Sequence, residues 1–149
     1  MTDLQCPMGA FTRPESTEEI QGINLVYLVD RPTAHAGETL TFTAWILNST
    51  AETLTNVCLL PRSLTNGDLD GLAYTEIPTI KELTGRMLGP RQSLCYSMSY
   101  KVTDVDAENG GMFTSAVQAE LSSHRFGLLV SECDALSVME PGTRTRRVP

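Results

Sequence analysis

The chain has 149 residues, 41 % hydrophobic and 19 % charged, which places it with ordinary folded domains and away from disordered sequences. The formal charge is −7, and residues 1–140 hold eight Lys or Arg against eighteen Asp or Glu, a net −10. So acidic a body argues against nucleic acid as the main partner, because neutralising phosphates takes clustered cations, and no apolar run approaches the roughly 20 residues of a membrane span.

Residues 1–22 read as an arm punctuated by Pro7, Gly9, Pro14 and Gly22, with Met8 and Phe11 as isolated apolar anchors. The first residues are polar and partly acidic with no apolar core. They are therefore expected not to be a signal peptide, which keeps the product in the cytoplasm where it is made. INLVYLVD (23–30) is the first predicted strand. In the link RPTAHAGE, Gly37 is expected to supply a positive φ. TLTFTAWILN (39–48) alternates cleanly, with Leu40, Phe42, Ala44 and Ile46 on one face and Thr39, Thr41, Thr43 and Trp45 on the other. LTNVCLLP (54–61) is a strand expected to stop at Pro61, which has no N–H for a central ladder.

RSLTNGDLDG is a loop, AYTEIP and TIKEL are expected as short strands, and MLGPRQ is a turn. SLCYSMSYKV (93–102) and MFTSAVQAEL (112–121) are two further strands joined by TDVDAENGG. The Leu- and Val-rich stretch 124–140 adds a strand or strand pair, and almost no helix is expected. Seven to nine short strands with regular turn signals predict an all-β, two-sheet antiparallel sandwich (23–140). It is flanked by extended arms at 1–22 and at the basic tail 141–149.

The order AGETLTFTAWILNST, TLTNVCLLP, LGPRQSLCYSMSYKVTDVDAENGGMFTSAV resembles the immunoglobulin-like conserved repeat of bacterial and archaeal surface proteins, known as domain of unknown function eleven and its relatives. Gly37-Glu38, Asn48, Thr55-Asn56-Val57, Pro61, Leu88-Gly89-Pro90 and Asp104-Val105-Asp106-Ala107 carry the likeness over about 85 residues. Arg91 departs from it, standing where the repeats have Gly. The resemblance implies an Ig-like sandwich without enzymatic activity that serves spacing, adhesion or assembly.

Chemical motifs are sparse. Asn66-Gly67-Asp68-Leu69-Asp70-Gly71 has the oxygen rhythm of a calcium loop, but Ile77 holds the position where a bidentate Glu belongs, so a polar turn is expected. Asp104, Asp106, Glu108 and Asn109 form a second acidic loop. Asp68, Asp70, Asp104 and Asp106 are thus weak metal candidates, and neither a metal nor a cofactor is expected. Cys6, Cys58, Cys95 and Cys133 are too widely spaced for a CxxC site. Cys58 and Cys95 fall on outer faces and would lie side by side if their strands were neighbours, although a reducing compartment favours unpaired thiols. Asn48-Ser49-Thr50 fits a glycosylation sequon, which the family turn explains equally well. His35 and His124 stand apart from any nucleophile.

Trp45 is a large aromatic on a Thr-rich outer face, to be covered by an arm or by a partner. The expected partner-binding residues are Trp45, Phe11, Arg144, Arg146 and Arg147. The function expected is a non-enzymatic structural protein, an accessory (decoration- or tail-type) component of a large assembly such as a bacteriophage particle, binding protein and neither nucleic acid nor membrane. The alternatives are a cell-surface adhesion or spacer module, and a calcium- or carbohydrate-binding sandwich using the loops at one end.

Overall fold

The computed structural model describes residues 16–139; the expected contacts of Phe11, Arg144, Arg146 and Arg147 lie outside them. Nine strands form two facing sheets. They are β1 (Ser16–Ile20), β2 (Ile23–Val29), β3 (Thr33–Ala34), β4 (Thr39–Asn48), β5 (Leu54–Thr65), β6 (Arg86–Leu88), β7 (Ser93–Lys101), β8 (Met112–Ser123) and β9 (Gly127–Met139). One sheet has the order β1-β2-β4-β7 and the other β3-β9-β8-β5-β6. All neighbours are antiparallel except β3 and β9, whose two-residue pairing is parallel. The architecture is the predicted all-β sandwich.

Alternation builds its core. Leu25, Tyr27, Leu40, Phe42, Ala44 and Ile46 from one sheet meet Val57, Leu59, Phe113, Val117 and Ala135 from the other, all essentially without solvent exposure. Burying each large aliphatic side chain stabilises by about 1.5–3 kcal/mol. One polar network crosses this core. Ser115 Oγ lies 2.6 Å from the Tyr27 hydroxyl and also hydrogen-bonds the hydroxyl of Tyr74. Tyr74 packs edge-on to Phe42 and so pins the long segment after β5 onto the sandwich. Burial, then the proximity of Tyr74, pushes the Tyr27 hydroxyl far above the ordinary phenol range.

Several expectations are corrected. Ser16–Ile20, within the segment read as an arm, is the edge strand β1, joined to β2 by the tight turn Gln21-Gly22, where both residues have positive φ. The strand through LTNVCLLP does not stop at Pro61 but runs to Thr65. A register shift lies between Pro61 and Ser63, and β6 pairs only Leu54 and Val57, so no ladder bond is asked of the proline nitrogen. The segment TIKEL is a helical turn, α1 (Ile80–Leu83), and AYTEIP is irregular apart from a bridge between Glu76 and Ser99. A second short helix, α2 (Asp104–Asn109), fills the loop before β8. Both helices start with a capping box, Thr79 with Glu82 and Thr103 with Asp106. Of the alternatives for 124–140, a strand or a strand pair, the fold holds the single strand β9 over Gly127–Met139.

Candidate interaction surface

The acidic loops come together at one end of the sandwich, but they do so as structure. Asn66 Oδ1 accepts the backbone N–H groups of Asp68 and Asp70, at 2.9 and 3.1 Å, which is an Asx turn. Its Nδ2 donates to Asp106 Oδ1 at 3.3 Å. Asp106 Oδ2 accepts from the Tyr100 hydroxyl and, at 3.0 Å, from the Thr103 N–H. Burial alone would raise this carboxyl; the hydrogen bonds from Tyr100, Thr103 and Asn66 outweigh it and hold the group below the usual carboxylate range. The loops touch backbone to backbone, since a Cβ on Gly67 would stand 2.3 Å from the Gly110 carbonyl oxygen. Among the described residues, no group of three or more His, Cys, Asp or Glu is arranged to hold a metal ion.

The remaining motif residues are keystones as well. Asn48 is 2 % exposed. Its Nδ2 donates to the carbonyls of Glu52, Gly89 and Leu88, and its Oδ1 accepts from the N–H and hydroxyl of Thr50. Gly37 has φ +88° and donates its N–H to the Val102 carbonyl, as its place in the link predicted. Arg91 adopts a left-handed φ of +62° in the turn Gly89-Pro90-Arg91-Gln92. His35 is half-buried beside Glu38, and His124 is exposed at the tip between β8 and β9, far from it in the fold.

Cys58 and Cys95 are not neighbours. Cys58 is in β5 of the larger sheet, while Cys95 is in β7 of the smaller and pairs in register with Trp45. Cys95 is disulfide-bonded, against the expectation of an unpaired thiol; Cys58 is a free thiol, and the buried Cys133 donates its Sγ–H to the Leu25 carbonyl at 3.5 Å. Trp45 lies on the outer face, as alternation required, yet is 0 % exposed in a second apolar cluster with Val26 and Leu28. It is sealed within the chain and presents no surface to a partner.

One group of exposed apolar side chains lies on the opposite side of the molecule, on the outer face of the larger sheet. On the outer face of β9 the side chains read Leu128, Val130, Glu132, Asp134, Leu136, Val138. Leu136 and Val138 are 38 % and 49 % exposed, beside Met112 of β8 at 43 %. Leu128 and Val130 are 67 % and 41 % exposed at the other end. Met112 pairs with Val138 and Ser122 with Leu128, so two apolar patches flank an acidic centre on one flat face. An antiparallel sheet facing water normally places polar residues outward. The signal is present in the sequence, because 128–138 is apolar in both alternation phases at its ends.

No family model and no curated protein sequence matches the chain. Among solved structures it is similar to PapD-like domain 7 of human CEP192, at 15 % identity over 93 % of this chain and 94 % of that one, with a TM-score of 0.52. It is also similar to part of a family 123 glycoside hydrolase from Clostridium perfringens, described for glycolipid glycan hydrolysis, at 10 % identity and a TM-score of 0.50. That match covers 72 % of this chain, which spans only 22 % of the hydrolase. Spo0M, a sporulation control protein of Bacillus subtilis, matches at 12 % identity over 81 % of this chain and 50 % of that one, with a TM-score of 0.42. At such identities the first two matches are a likeness of fold alone, that of an Ig-like β-sandwich.

Proposed function

We propose that this chain is a non-enzymatic structural or interaction protein, an accessory component of a larger protein assembly such as a bacteriophage particle. The observation that supports it is the outer face of β8 and β9, where Met112, Leu128, Val130, Leu136 and Val138 stand in solvent around acidic side chains. Clustered exposed apolar side chains rimmed by polar ones on a folded domain mark a docking site. Apolar and acidic chemistry suits a protein surface with apolar and basic side chains, and suits neither phosphates nor an anionic membrane. The test is to isolate the native material and measure the mass of the particle that carries the chain. The double substitution Leu136→Lys and Val138→Lys then leaves the monomer folded and abolishes its incorporation. Normal incorporation of that variant, or a native chain that is strictly monomeric, refutes the reading.

A cell-surface spacer module is the second reading, favoured by one specific observation. Gly37, Asn48, Pro90 and Asp106, which carry the resemblance to the conserved repeat, each hold a turn or loop end of this sandwich. A longer open reading frame with tandem copies and a sorting signal would favour it over the assembly component.

A further inference from the structure

The end of the sandwich opposite the acidic loops holds a cleft of about 590 Å³ between the β1–β2 turn, the β4–β5 loop and the β8–β9 turn. That volume is in the range of small-molecule sites. Ile23 and Leu54 form its floor, and Gln21, Glu52, Arg125 and Phe126 its walls. The walls are fixed before any ligand arrives. Glu52 Oε2 accepts from the Ser123 hydroxyl at 2.6 Å and the His124 N–H at 2.8 Å. Ser123 Oγ in turn accepts the N–H groups of Arg125 and Phe126, at 3.2 and 3.0 Å. On the opposite wall, Glu19 accepts the Gly22 N–H at 2.7 Å and holds the turn that carries Gln21. The guanidinium of Arg125 lies 5.2 Å from the centroid of the Phe126 ring, and Phe126 remains 44 % exposed.

We propose that this cleft binds a small uncharged carbohydrate, with a sugar ring against Phe126 and its hydroxyls on Glu52, Arg125 and Gln21. The chemistry selects this class by elimination. One carboxylate and one guanidinium line the same cleft, so an anion is repelled by Glu52 and a cation by Arg125. A purely apolar ligand would take the Arg125 guanidinium, and the part of the Glu52 carboxylate not bonded to Ser123 and His124, out of water, which is costly. A sugar offers apolar C–H faces and a rim of hydroxyls that donate and accept, matching an aromatic wall beside an amide, a guanidinium and a carboxylate.

The test is an amide NMR titration of the full chain with D-glucose, D-galactose and N-acetyl-D-glucosamine, each to roughly 50 mM, which covers the millimolar affinities of single-sugar sites. At least one sugar shifts the amides of Gln21, Glu52 and Ser123–Phe126 saturably. Phe126→Ala and Arg125→Ala, both at exposed positions, each weaken it about tenfold or more while the other amides keep their positions. The outer-face variant Leu136→Lys with Val138→Lys binds the sugar unchanged, which separates this site from the proposed docking face. No saturable shift with any of the three sugars overturns the proposal. So does a shift that survives both cleft substitutions, or a stronger response of the same amides to inorganic phosphate or benzyl alcohol.

Discussion

Replacing Asn48 by Ala tests the claim that this sequon-like residue is a structural hub. The substitution removes an amide that serves three carbonyls, at 2.9 Å from Glu52, 2.9 Å from Gly89 and 3.2 Å from Leu88, and an oxygen that receives both donors of Thr50. At 2 % exposure the site gives water poor access to the stranded groups. Each buried group left unpaired costs about 1–3 kcal/mol. Glu52 O keeps the Thr50 hydroxyl at 3.3 Å, so two or so groups are left truly stranded and the loss is about 2–5 kcal/mol. That is a large part of the roughly 5–15 kcal/mol available to a domain. With about 2–4 °C lost per kcal/mol in a chain of this size, the melting temperature falls by roughly 5–20 °C.

Urea denaturation reads this directly, as a lower midpoint at unchanged slope. Ser49→Ala, at an exposed neighbour, stays within about 0.5 kcal/mol of the parent. Asn48→Asp keeps the accepting oxygen but turns a carboxylate oxygen toward carbonyls. Burial among acceptors raises the pKa of that carboxyl, so the variant's deficit grows as the pH rises through that value and shrinks in acid. An Asn48→Ala chain within about 1 kcal/mol of the parent would refute the hub and return Asn48 to the status of an ordinary turn residue.

Three further outcomes follow from the same geometry. Arg91→Gly relieves a left-handed φ worth about 1–2 kcal/mol and adds about 0.5–1 kcal/mol of unfolded-chain entropy, so urea midpoints rank Gly at or above Arg and both above Val at this position. Asp106 has a folded pKa below its unfolded value of about 4, so its contribution is present above that value and lost as the pH falls; the parent's advantage over Asp106→Asn is greatest above about pH 4 and shrinks in stronger acid, measured as midpoint against pH. Ser115→Ala strands the fully buried Tyr27 hydroxyl at a cost of about 1–3 kcal/mol, and adding Tyr27→Phe recovers part of it; a double variant less stable than Ser115→Ala would contradict the network.

Alternation made β2, β4, β7 and β8 legible to within a residue or two, because each buries one face and a period of two leaves little choice of register. It says which face a residue takes, not which strand lies beside it. For that reason Cys58 and Cys95 read as potential neighbours while the folded chain puts them in different sheets. β1 escaped notice because the polar run STEEI contributes little to the core and depends on the Gln21-Gly22 hairpin for its pairing. The two helices escaped because they last only four and six residues, too short to show a 3.6-residue period, although the Thr-x-x-Glu and Thr-x-x-Asp capping signatures were there to read. The cleft beside Phe126 draws on three loops far apart in the chain, and no local pattern announces it.

The sites that stood out in the sequence are the ones with the least chemistry to spare. Asn48, Asn66 and Asp106 look like a sequon and calcium ligands because turns need short side chains rich in oxygen, and in the fold those oxygens and amides are already bonded to the protein's own backbone and side chains. With those hydrogen bonds spent on holding loops, these three side chains have little left for a ligand. The same reasoning separates the two outer faces. The smaller sheet's apolar cluster around Trp45 is closed, whereas the larger sheet leaves Leu128, Val130, Leu136 and Val138 in water. Core packing does not require those four side chains, since Leu129, Cys133, Ala135 and Met139 already fill the inner phase of the same strand. Under the proposed docking role, a demand from outside the domain accounts for them. The Leu136→Lys and Val138→Lys substitutions separate that demand from stability: they leave the urea midpoint within about 0.5 kcal/mol of the parent, as exposed positions do, and a larger loss would mean that the face serves the fold after all.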